Sequence, residues 1–185
     1  MEACRNGDTA AFAVLLRRYK DRLYNAVYRF LGNAEDTMDV CQETLIRAYR
    51  GLDGFRGDAR FYTWLYRIAM NLARNHLRDA GRRGQGRTSS LEALADSAPG
   101  VLQRAARTGQ NPGDEAVGNE LAEELQKALD ALPEHCRMAF VLRVYEEMPY
   151  DEIAHVMDCP PGTVKSRLNQ ARRLLRERLQ ALGAL

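Results

Sequence analysis

The sequence predicts an all-α protein made of two small helical domains that are joined by a flexible linker. Apolar residues recur at helical spacing through most of the chain, strand signals are nearly absent, and the periodicity fails between about residues 80 and 118. At 185 residues, the chain is long enough for two domains that each bury a modest core. We therefore place the first domain at residues 1–80, the linker at 81–116 and the second domain at 117–185.

The first domain is predicted to begin with two amphipathic helices. The first helix would start at Asp8 or Thr9, either of which suits an N-cap, and would end before Gly32. The second would span roughly Glu35 to Arg50. Its expected inward side chains are Met38, Cys41, Leu45, Ala48 and Tyr49.

A third helix, from about Ala59 to Arg78, is predicted after a glycine-broken loop at residues 52–58. Its polar side carries cations and an amide at spacings of seven, four, three and four: Arg60, Arg67, Asn71, Arg74 and Arg78. Tyr62, Trp64 and Tyr66 are interleaved. Single-stranded nucleic acid requires cations for its backbone, rings for stacking and amides for base edges. The alternative is that the arginines are only solvated, and for Trp64 alone we expect core packing.

Charges are segregated along the chain, although the net charge is only +2. Residues 56–87 hold eight arginines against two aspartates, and residues 163–178 hold six basic residues against one glutamate. Residues 114–152, which lie between them, hold eleven acidic residues against three basic ones. Two basic blocks separated by an acidic one predict two contact surfaces for a polyanion.

The second domain is predicted to hold four helices, of which the last two form a DNA-binding motif. The first two would lie at about Leu121–Leu132 and from Pro133 to just before Pro149. The stretch Tyr150–Leu168 then has the layout of a helix-turn-helix, whose second helix enters the major groove of DNA. Pro161 suits the first turn of this second helix, because its fixed φ is already helical.

The last predicted helix has one apolar and one basic side. Apolar residues recur at spacings of four, three, four, four and three: Val164, Leu168, Ala171, Leu175, Leu179 and Leu182. The opposite side carries Lys165, Asn169, Arg172, Arg173 and Arg176. For this helix alone, a solvated basic face would be the default interpretation. With the preceding helix and turn attached, DNA binding is favoured.

Composition and motifs argue against several classes of protein. The cysteines, at positions 4, 41, 136 and 159, lack ligand-like spacing, so we expect small buried or half-buried thiols, with a redox switch as the alternative. No metal site and no cofactor are predicted. No catalytic motif is present, so we predict that the protein is not an enzyme. No apolar run reaches transmembrane length and no targeting segment is visible, which predicts a cytoplasmic protein without membrane insertion.

Two long motifs resemble those of a known protein family. Residues Asp39–Arg50 and Phe55–Asn75 closely resemble region 2 of bacterial sigma factors, in the small, two-domain extracytoplasmic-function branch that is sigma-E-like. Residues Cys159–Leu168 are similar to the recognition helix of that family's region 4. The resemblance implies a transcription initiation factor that binds core RNA polymerase, recognises promoter minus-ten and minus-thirty-five elements and promotes DNA melting.

The resemblance also implies three groups of site residues. The β′ clamp of core polymerase would be contacted by Asp39, Gln42, Glu43 and Arg47. The minus-ten element would be bound by Phe55, Arg56, Arg60, Tyr62, Arg67, Asn71, Arg74, Asn75 and Arg78. The minus-thirty-five element would be bound by Thr163, Lys165, Ser166, Arg167, Asn169, Gln170, Arg172, Arg173 and Arg176. The last three arginines are expected to hold phosphates, which position the domain without specifying sequence.

The implied partners are core RNA polymerase, through its β′ clamp and β flap, and promoter DNA. Members of the family are commonly held inactive by an anti-sigma factor, so such a factor is a further candidate partner. The alternative function is that of an ordinary helix-turn-helix regulator, which would bind duplex DNA on its own, usually as a symmetric dimer. That alternative leaves the arginine and asparagine stripe of the first domain unexplained.

Overall fold

A computed structural model describes residues 9–55, 57, 59–84 and 122–181 of the chain. They form helices α1 (Thr9–Leu31), α2 (Ala34–Arg50), α3 (Phe61–Gly84), α4 (122–130), α5 (Glu134–Val144), α6 (Tyr150–Met157) and α7 (Pro161–Ala181). A short 3-10 turn, Leu52–Gly54, follows α2. These described residues contain no strand, and the predicted all-α class is confirmed. None of their helices combines the length and apolarity needed to cross a bilayer.

The helix bounds differ from the expectation at several places. Helix α5 ends at Val144, whereas the sequence predicts a helix that continues to just before Pro149. Asn33 does more than end the first helix, because it caps α2: its side-chain oxygen accepts a hydrogen bond from the backbone N–H of Asp36 at 3.0 Å. Helix α3 begins at Phe61 and continues to Gly84, so it runs past the predicted domain end at residue 80. The rest of the predicted linker lies outside the described residues.

The inward face of α2 also differs from the expectation. The apolar spacing predicts Met38 and Tyr49 inward, but they are 63% and 51% exposed, so this prediction is wrong. Thr37 and Thr44 are buried instead. Each donates its hydroxyl to the backbone carbonyl four residues earlier, at 2.5 and 2.6 Å, which satisfies the polar group and leaves the methyl for packing.

One continuous core of buried side chains spans both predicted domains. Its members from the first three helices include Leu23, Val27, Phe30, Leu65, Tyr66 and Met70. Its members from the second domain include Met138, Val141, Leu142, Met148, Ile153 and Leu168. A smaller cluster joins α4, α5 and α7. Helix α3 packs against α6 and α1 packs against α5, so the two domains form an extensive common interface.

Helices α6 and α7 form the predicted helix-turn-helix. Helix α6 ends at Met157, and the next residue, Asp158, has a left-handed φ of +51° that reverses the chain. Aspartate tolerates this conformation better than most side chains, because its short polar group bonds locally. The buried Ala154 and Val164 lie on the two helices where they meet, and α7 begins at Pro161 as predicted.

The C-terminal end of α1 is completed by side chains of the second domain. Arg137, buried in α5, donates to the backbone carbonyl of Phe30 at 2.8 Å and pairs with Asp130 at 3.0 Å. Gln126 donates to the carbonyl one residue earlier on α1, at 3.3 Å. These donors satisfy carbonyls that a helix end leaves free. Gly32 follows with φ +76°, and a Cβ there would lie 3.0 Å from the Asp130 carboxylate, so this close approach requires glycine.

Candidate nucleic-acid interface

The outer face of α2 carries the side chains that the sequence assigns to polymerase binding. Asp39 and Gln42 are exposed, and the Arg47 guanidinium pairs with Glu43 at 2.6 Å one helical turn away. Sequence reasoning missed that this helix also exposes three large apolar side chains: Met38, Ile46 and Tyr49. The available signal was that apolar residues occur on both sides of α2. A helix that buries only one face does not need apolar side chains on the other face. Mixed apolar and charged side chains are typical of a protein-binding surface.

A cleft of about 400 Å³ opens where α2, the 3-10 turn and α3 meet. Its lining residues are Arg47, Gly51, Gly54, Trp64, Ile68, Asn71, Leu72 and Asn75. Two of the predicted minus-ten residues, Asn71 and Asn75, therefore share one cavity with an indole ring. Arg74 donates to the Asn71 side-chain oxygen at 2.7 Å, which orients the amide and leaves its amino group as a donor. The indole of Trp64, the amide of Asn71 and the volume of the cleft together suit one planar heterocycle.

An aromatic cluster supports this cleft from beneath. The Phe55 ring lies 5.2 Å from the Trp64 ring and 6.0 Å from the Phe61 ring, centroid to centroid. Phe55 is buried, so its ring shapes the loop and does not face solvent. Trp64 is half-buried and packs against the core, as the sequence favoured. Arg56, another predicted minus-ten residue, lies outside the described residues.

The first turns of α3 face the second domain. The Thr63 hydroxyl donates to Glu152 on α6 at 2.8 Å, and the Arg60 guanidinium lies 3.5 Å from the same carboxylate. Burial and a hydrogen bond to Glu152 raise the pKa of Tyr62 to about 12. Three residues near the start of α3 thus converge on one carboxylate, and two of them, Arg60 and Tyr62, belong to the predicted minus-ten group.

One turn further along α3, a second carboxylate is buried in the interface. The Tyr66 hydroxyl donates to Glu146 at 2.6 Å, and the Arg22 guanidinium of α1 lies 3.3 Å from the same oxygen. The Glu146 side chain is only 4% exposed. Burial raises the pKa of Glu146, although the hydrogen bond from Tyr66 and the charge of Arg22 act in the opposite direction. Glu146 was not singled out from the sequence, whereas Tyr66 was named among the interleaved aromatics and proves to be buried.

The remaining residues of the α3 stripe lie at the edge of this interface or beyond it. Arg67 has one nitrogen 3.5 Å from the His155 ring and another 3.9 Å from the Asp158 carboxylate. Arg78 is exposed on the far part of the helix. The stripe is therefore divided: its first half faces the second domain, and its second half is open.

The outer face of α7 is largely open to solvent. Among its predicted DNA-binding residues, those that are exposed are Lys165, Ser166, Asn169, Arg172, Arg173 and Arg176. Thr163 and Gln170 are half-buried, as is Arg167, whose guanidinium reaches the Cys159 sulfur at 3.4 Å. Arg173 pairs with Glu177 on the same helix at 2.9 Å. The sequence-predicted residues thus form one accessible basic surface.

The cysteines that the structure describes are buried or half-buried free thiols, as predicted. Burial raises the pKa of Cys41 to about 12, and it also raises that of Cys136, although the charge of Arg167 opposes the shift. Thiols with raised pKa values react slowly, because the thiolate is the nucleophile. Cys4 lies outside the described residues.

Comparison with known proteins matches both halves of the chain. The family model for sigma-70 region 2 matches residues 15–83, and that for sigma-70 region 4 matches residues 122–175. The chain is 40% identical to the ECF RNA polymerase sigma-E factor of Escherichia coli (strain K12), over 98% of this chain and 93% of that protein. It is 39% identical to the RNA polymerase sigma-H factor of Pseudomonas aeruginosa, with the same two coverages.

Two solved structures share the fold. The sigma factor RpoE from Bartonella quintana, in complex with the anti-sigma factor NepR, superimposes with a TM-score of 0.72 over 92% of this chain and 97% of that chain. CnrH, in complex with the cytosolic domain of CnrY, gives a TM-score of 0.68 over 97% and 94%. Both are 24% identical to this chain, so they bear on its fold alone.

Proposed function

The chain belongs to the extracytoplasmic-function sigma factors, and we propose that it binds core RNA polymerase, recognises promoter minus-ten and minus-thirty-five elements and promotes DNA melting. The observation that carries this proposal is the pairing of two different nucleic-acid surfaces on one chain. One is a cleft of about 400 Å³ with an indole and two asparagines, and the other is an exposed basic recognition helix. The first suits a single unstacked base and the second suits an intact duplex.

Polymerase docking is assigned to the outer face of α2. Its exposed carboxylate and amide, Asp39 and Gln42, can meet basic and polar groups on the β′ clamp, while Met38 and Ile46 supply apolar area. The acidic helices of the second domain are assigned to the β flap. The sigma factor RpoE from Bartonella quintana is bound to an anti-sigma factor in its structure, and we infer that a factor of this kind would compete for these surfaces.

Strand opening is assigned to base capture at the cleft. Unstacking a base costs a few kcal/mol, which stacking on Trp64 and hydrogen bonds from Asn71 and Asn75 can offset. Binding of the melted strand then shifts the duplex toward opening without any covalent step. We therefore infer that the protein is not an enzyme, and that it acts in the cytoplasm, where RNA polymerase transcribes.

Duplex recognition is assigned to α7. Lys165 and Arg167 would favour guanine and Asn169 and Gln170 adenine, through major-groove contacts worth about 1–3 kcal/mol each. The cluster of Arg172, Arg173 and Arg176 would hold phosphates. We propose residues 1–80 as region 2, 81–116 as the linker and 117–185 as region 4, with the last helix of region 2 extended to Gly84.

The test is size-exclusion chromatography of the protein with bacterial core RNA polymerase. We expect a stoichiometric complex that is lost in the double variant Asp39→Ala, Gln42→Ala. Asp21→Ala, which removes an exposed carboxylate from α1, is the matched control and should still elute with polymerase. Absence of a complex, together with tight unaided binding to duplex DNA, would show a conventional regulator instead.

A further inference from the structure

We propose that Arg47 is a ligand of the captured nucleotide, and that its guanidinium binds the phosphate of the nucleotide whose base enters the cleft. The family resemblance assigns this residue to the polymerase surface instead. The inference rests on the proposed function, because it takes the cleft of Trp64, Asn71 and Asn75 as the site of base capture. It adds to that site a backbone contact, which positions a strand without specifying its sequence.

Arg47 lies away from the exposed apolar strip of α2. Successive residues of an α-helix are rotated by about 100°, so Gln42 and Arg47 lie about 140° apart around the axis. Met38 and Ile46 lie within about 40° of Gln42, one on either side. Arg47 is among the residues that line the cleft between α2 and α3, whereas those three residues are not. Its position therefore favours a role in the cleft over one on the strip.

Arg47 is also the only charged residue among the described residues that line the cleft. The others are two glycines, two aliphatic residues, two asparagines and one tryptophan. A ring and amides can hold a base, but they cannot neutralise the phosphate that a captured nucleotide brings with it. Arginine suits this task, because its planar guanidinium can direct two parallel N–H donors at a phosphate.

The Arg47 guanidinium is anchored through one nitrogen. Its Nε donates to the Glu43 carboxylate at 2.6 Å, one helical turn earlier. Within the described part of the chain, Nη1 and Nη2 have no hydrogen-bond or ion-pair partner. The side chain is 56% exposed, so an anion can reach these two nitrogens. Glu43 thus restricts the side chain without using the pair of donors that a phosphate requires.

The backbone of Arg47 is joined to the ring that would stack on the base. Its carbonyl accepts a hydrogen bond from the Gly51 N–H at 2.9 Å. A Cβ at Gly51 would lie 3.3 Å from the Trp64 indole, so the ring packs directly against this turn. Arg74 fixes the Asn71 amide, as described above. The phosphate ligand, the stacking ring and the base-reading amide thus belong to one connected site.

The experiment measures binding of fluorescein-labelled single strands to the free, full-length protein at several salt concentrations. The probes are twelve-nucleotide homopolymers of deoxyadenosine, deoxycytidine and thymidine. We expect Arg47→Gln to weaken binding about fivefold on all three strands, because a phosphate contact is independent of the base. The slope of log affinity against log salt should fall by about 0.7, the value for one phosphate of a single strand. Asn71→Ala should weaken the three strands unequally.

A second measurement locates the phosphate. In the strand that binds best, each phosphate is replaced in turn by a neutral methylphosphonate. Wild type should lose most affinity at one position, and Arg47→Gln should lose nothing further there. Arg47→Lys, which keeps the charge but not the paired donors, should recover part of the loss. The exposed pair with Glu43 contributes little to stability, so these variants should fold.

Two controls separate this contact from other roles of the residue. Arg18→Gln removes an exposed cation of α1 that does not line the cleft, and it should leave affinity and slope unchanged. Arg47→Gln should still elute with core polymerase in gel filtration. Loss of that complex with unchanged strand affinity would return Arg47 to the polymerase surface, and an equal loss in the Arg18 variant would show a bulk charge effect. Either result would overturn the inference.

Failure of the proposed function would be distinguishable from failure of this inference. If Asn71→Ala changed binding to none of the strands, base capture at the cleft would be overturned together with the phosphate contact. An effect of Asn71→Ala without any effect of Arg47→Gln would overturn the phosphate contact alone.

Discussion

The two nucleic-acid faces of the molecule differ in what lies against them. On α7, Lys165 and Asn169 are exposed, whereas Arg60, just before α3, and Arg67, in its second turn, lie near carboxylates of the second domain. A surface that reads an intact duplex can be permanently open, because duplex DNA is always present. The side chains of α7 could therefore contact a duplex without rearrangement. Any anion that binds Arg60 or Arg67 would instead have to compete with a carboxylate of the same chain.

The largest effect on stability should come from replacing Arg137, which joins α5 to the C-terminal end of α1. Arg137→Ala leaves the Phe30 carbonyl without its side-chain donor and the Asp130 carboxylate without its cation, although Gln126 still donates to Asp130. Truncating one partner of a buried pair costs about 3–5 kcal/mol, and Asp130 is 43% exposed, so we expect the free energy of unfolding to fall by about 3 kcal/mol. Urea denaturation followed by circular dichroism measures this. The control Arg172→Ala, at an exposed position, should change stability by less than about 0.5 kcal/mol. Equal losses in both variants would contradict the stabilising role of Arg137.

The next effect tests the open end of α3. Asn71→Ala removes the amide that Arg74 orients in the cleft, so one or two hydrogen bonds to a captured base would be lost. At about 1 kcal/mol each, this predicts roughly tenfold less promoter opening. Permanganate footprinting of the polymerase complex measures opening, and gel filtration of the same variant should show unchanged polymerase binding. Undiminished opening would remove Asn71 from the mechanism.

A comparable or smaller effect is expected on the other face. Arg167→Ala should reduce initiation about fivefold at a promoter that depends on its minus-thirty-five element, since one base contact is worth about 1–3 kcal/mol. In-vitro transcription with purified polymerase is the measurement. A template whose minus-ten region is already melted should respond less, because α7 then contributes only to recruitment. Unchanged initiation on the intact promoter would count against this assignment.

The smallest effect concerns pH. Burial raises the pKa of Glu146 in the folded protein, so the folded chain holds this proton more tightly than an unfolded chain with an ordinary glutamate. The contribution of this proton to the free energy of unfolding is therefore fully present below the ordinary glutamate pKa and is lost as the pH rises through the raised value. Urea denaturation between about pH 4 and about pH 7 should show wild type losing stability relative to Glu146→Gln as the pH rises. Parallel pH responses in the two proteins would contradict this linkage.

Local pattern was sufficient to predict the helices and the helix-turn-helix motif, because apolar spacing and turn residues act over a few positions. It failed for the inward face of α2, since Thr37 and Thr44 hide their hydroxyls in the backbone and leave Met38 exposed. These two hydrogen bonds each form within about one helical turn, but the residue types alone do not predict that they form.

The polar contacts between the two domains could not be predicted residue by residue. Glu152 and Thr63 are 89 positions apart, and Glu146 and Tyr66 are 80 apart. An acidic block between two basic blocks did contain part of the signal, because opposite charges must meet somewhere in a compact chain. Which arginine meets which carboxylate depends on how the helices pack, and single-sequence periodicity does not encode that.

The core shared by the two domains has a consequence for the lifetime of the protein. Val141 and Leu142 of the second domain belong to the same buried cluster as Val27 and Leu65 of the first. Any molecule whose domains separate without a partner would present part of that apolar surface to water. Chaperones and proteases act on such surfaces, so molecules that open away from polymerase would be degraded first. The cellular pool of this protein would then be set by how many chains are closed or engaged, as well as by how many are made.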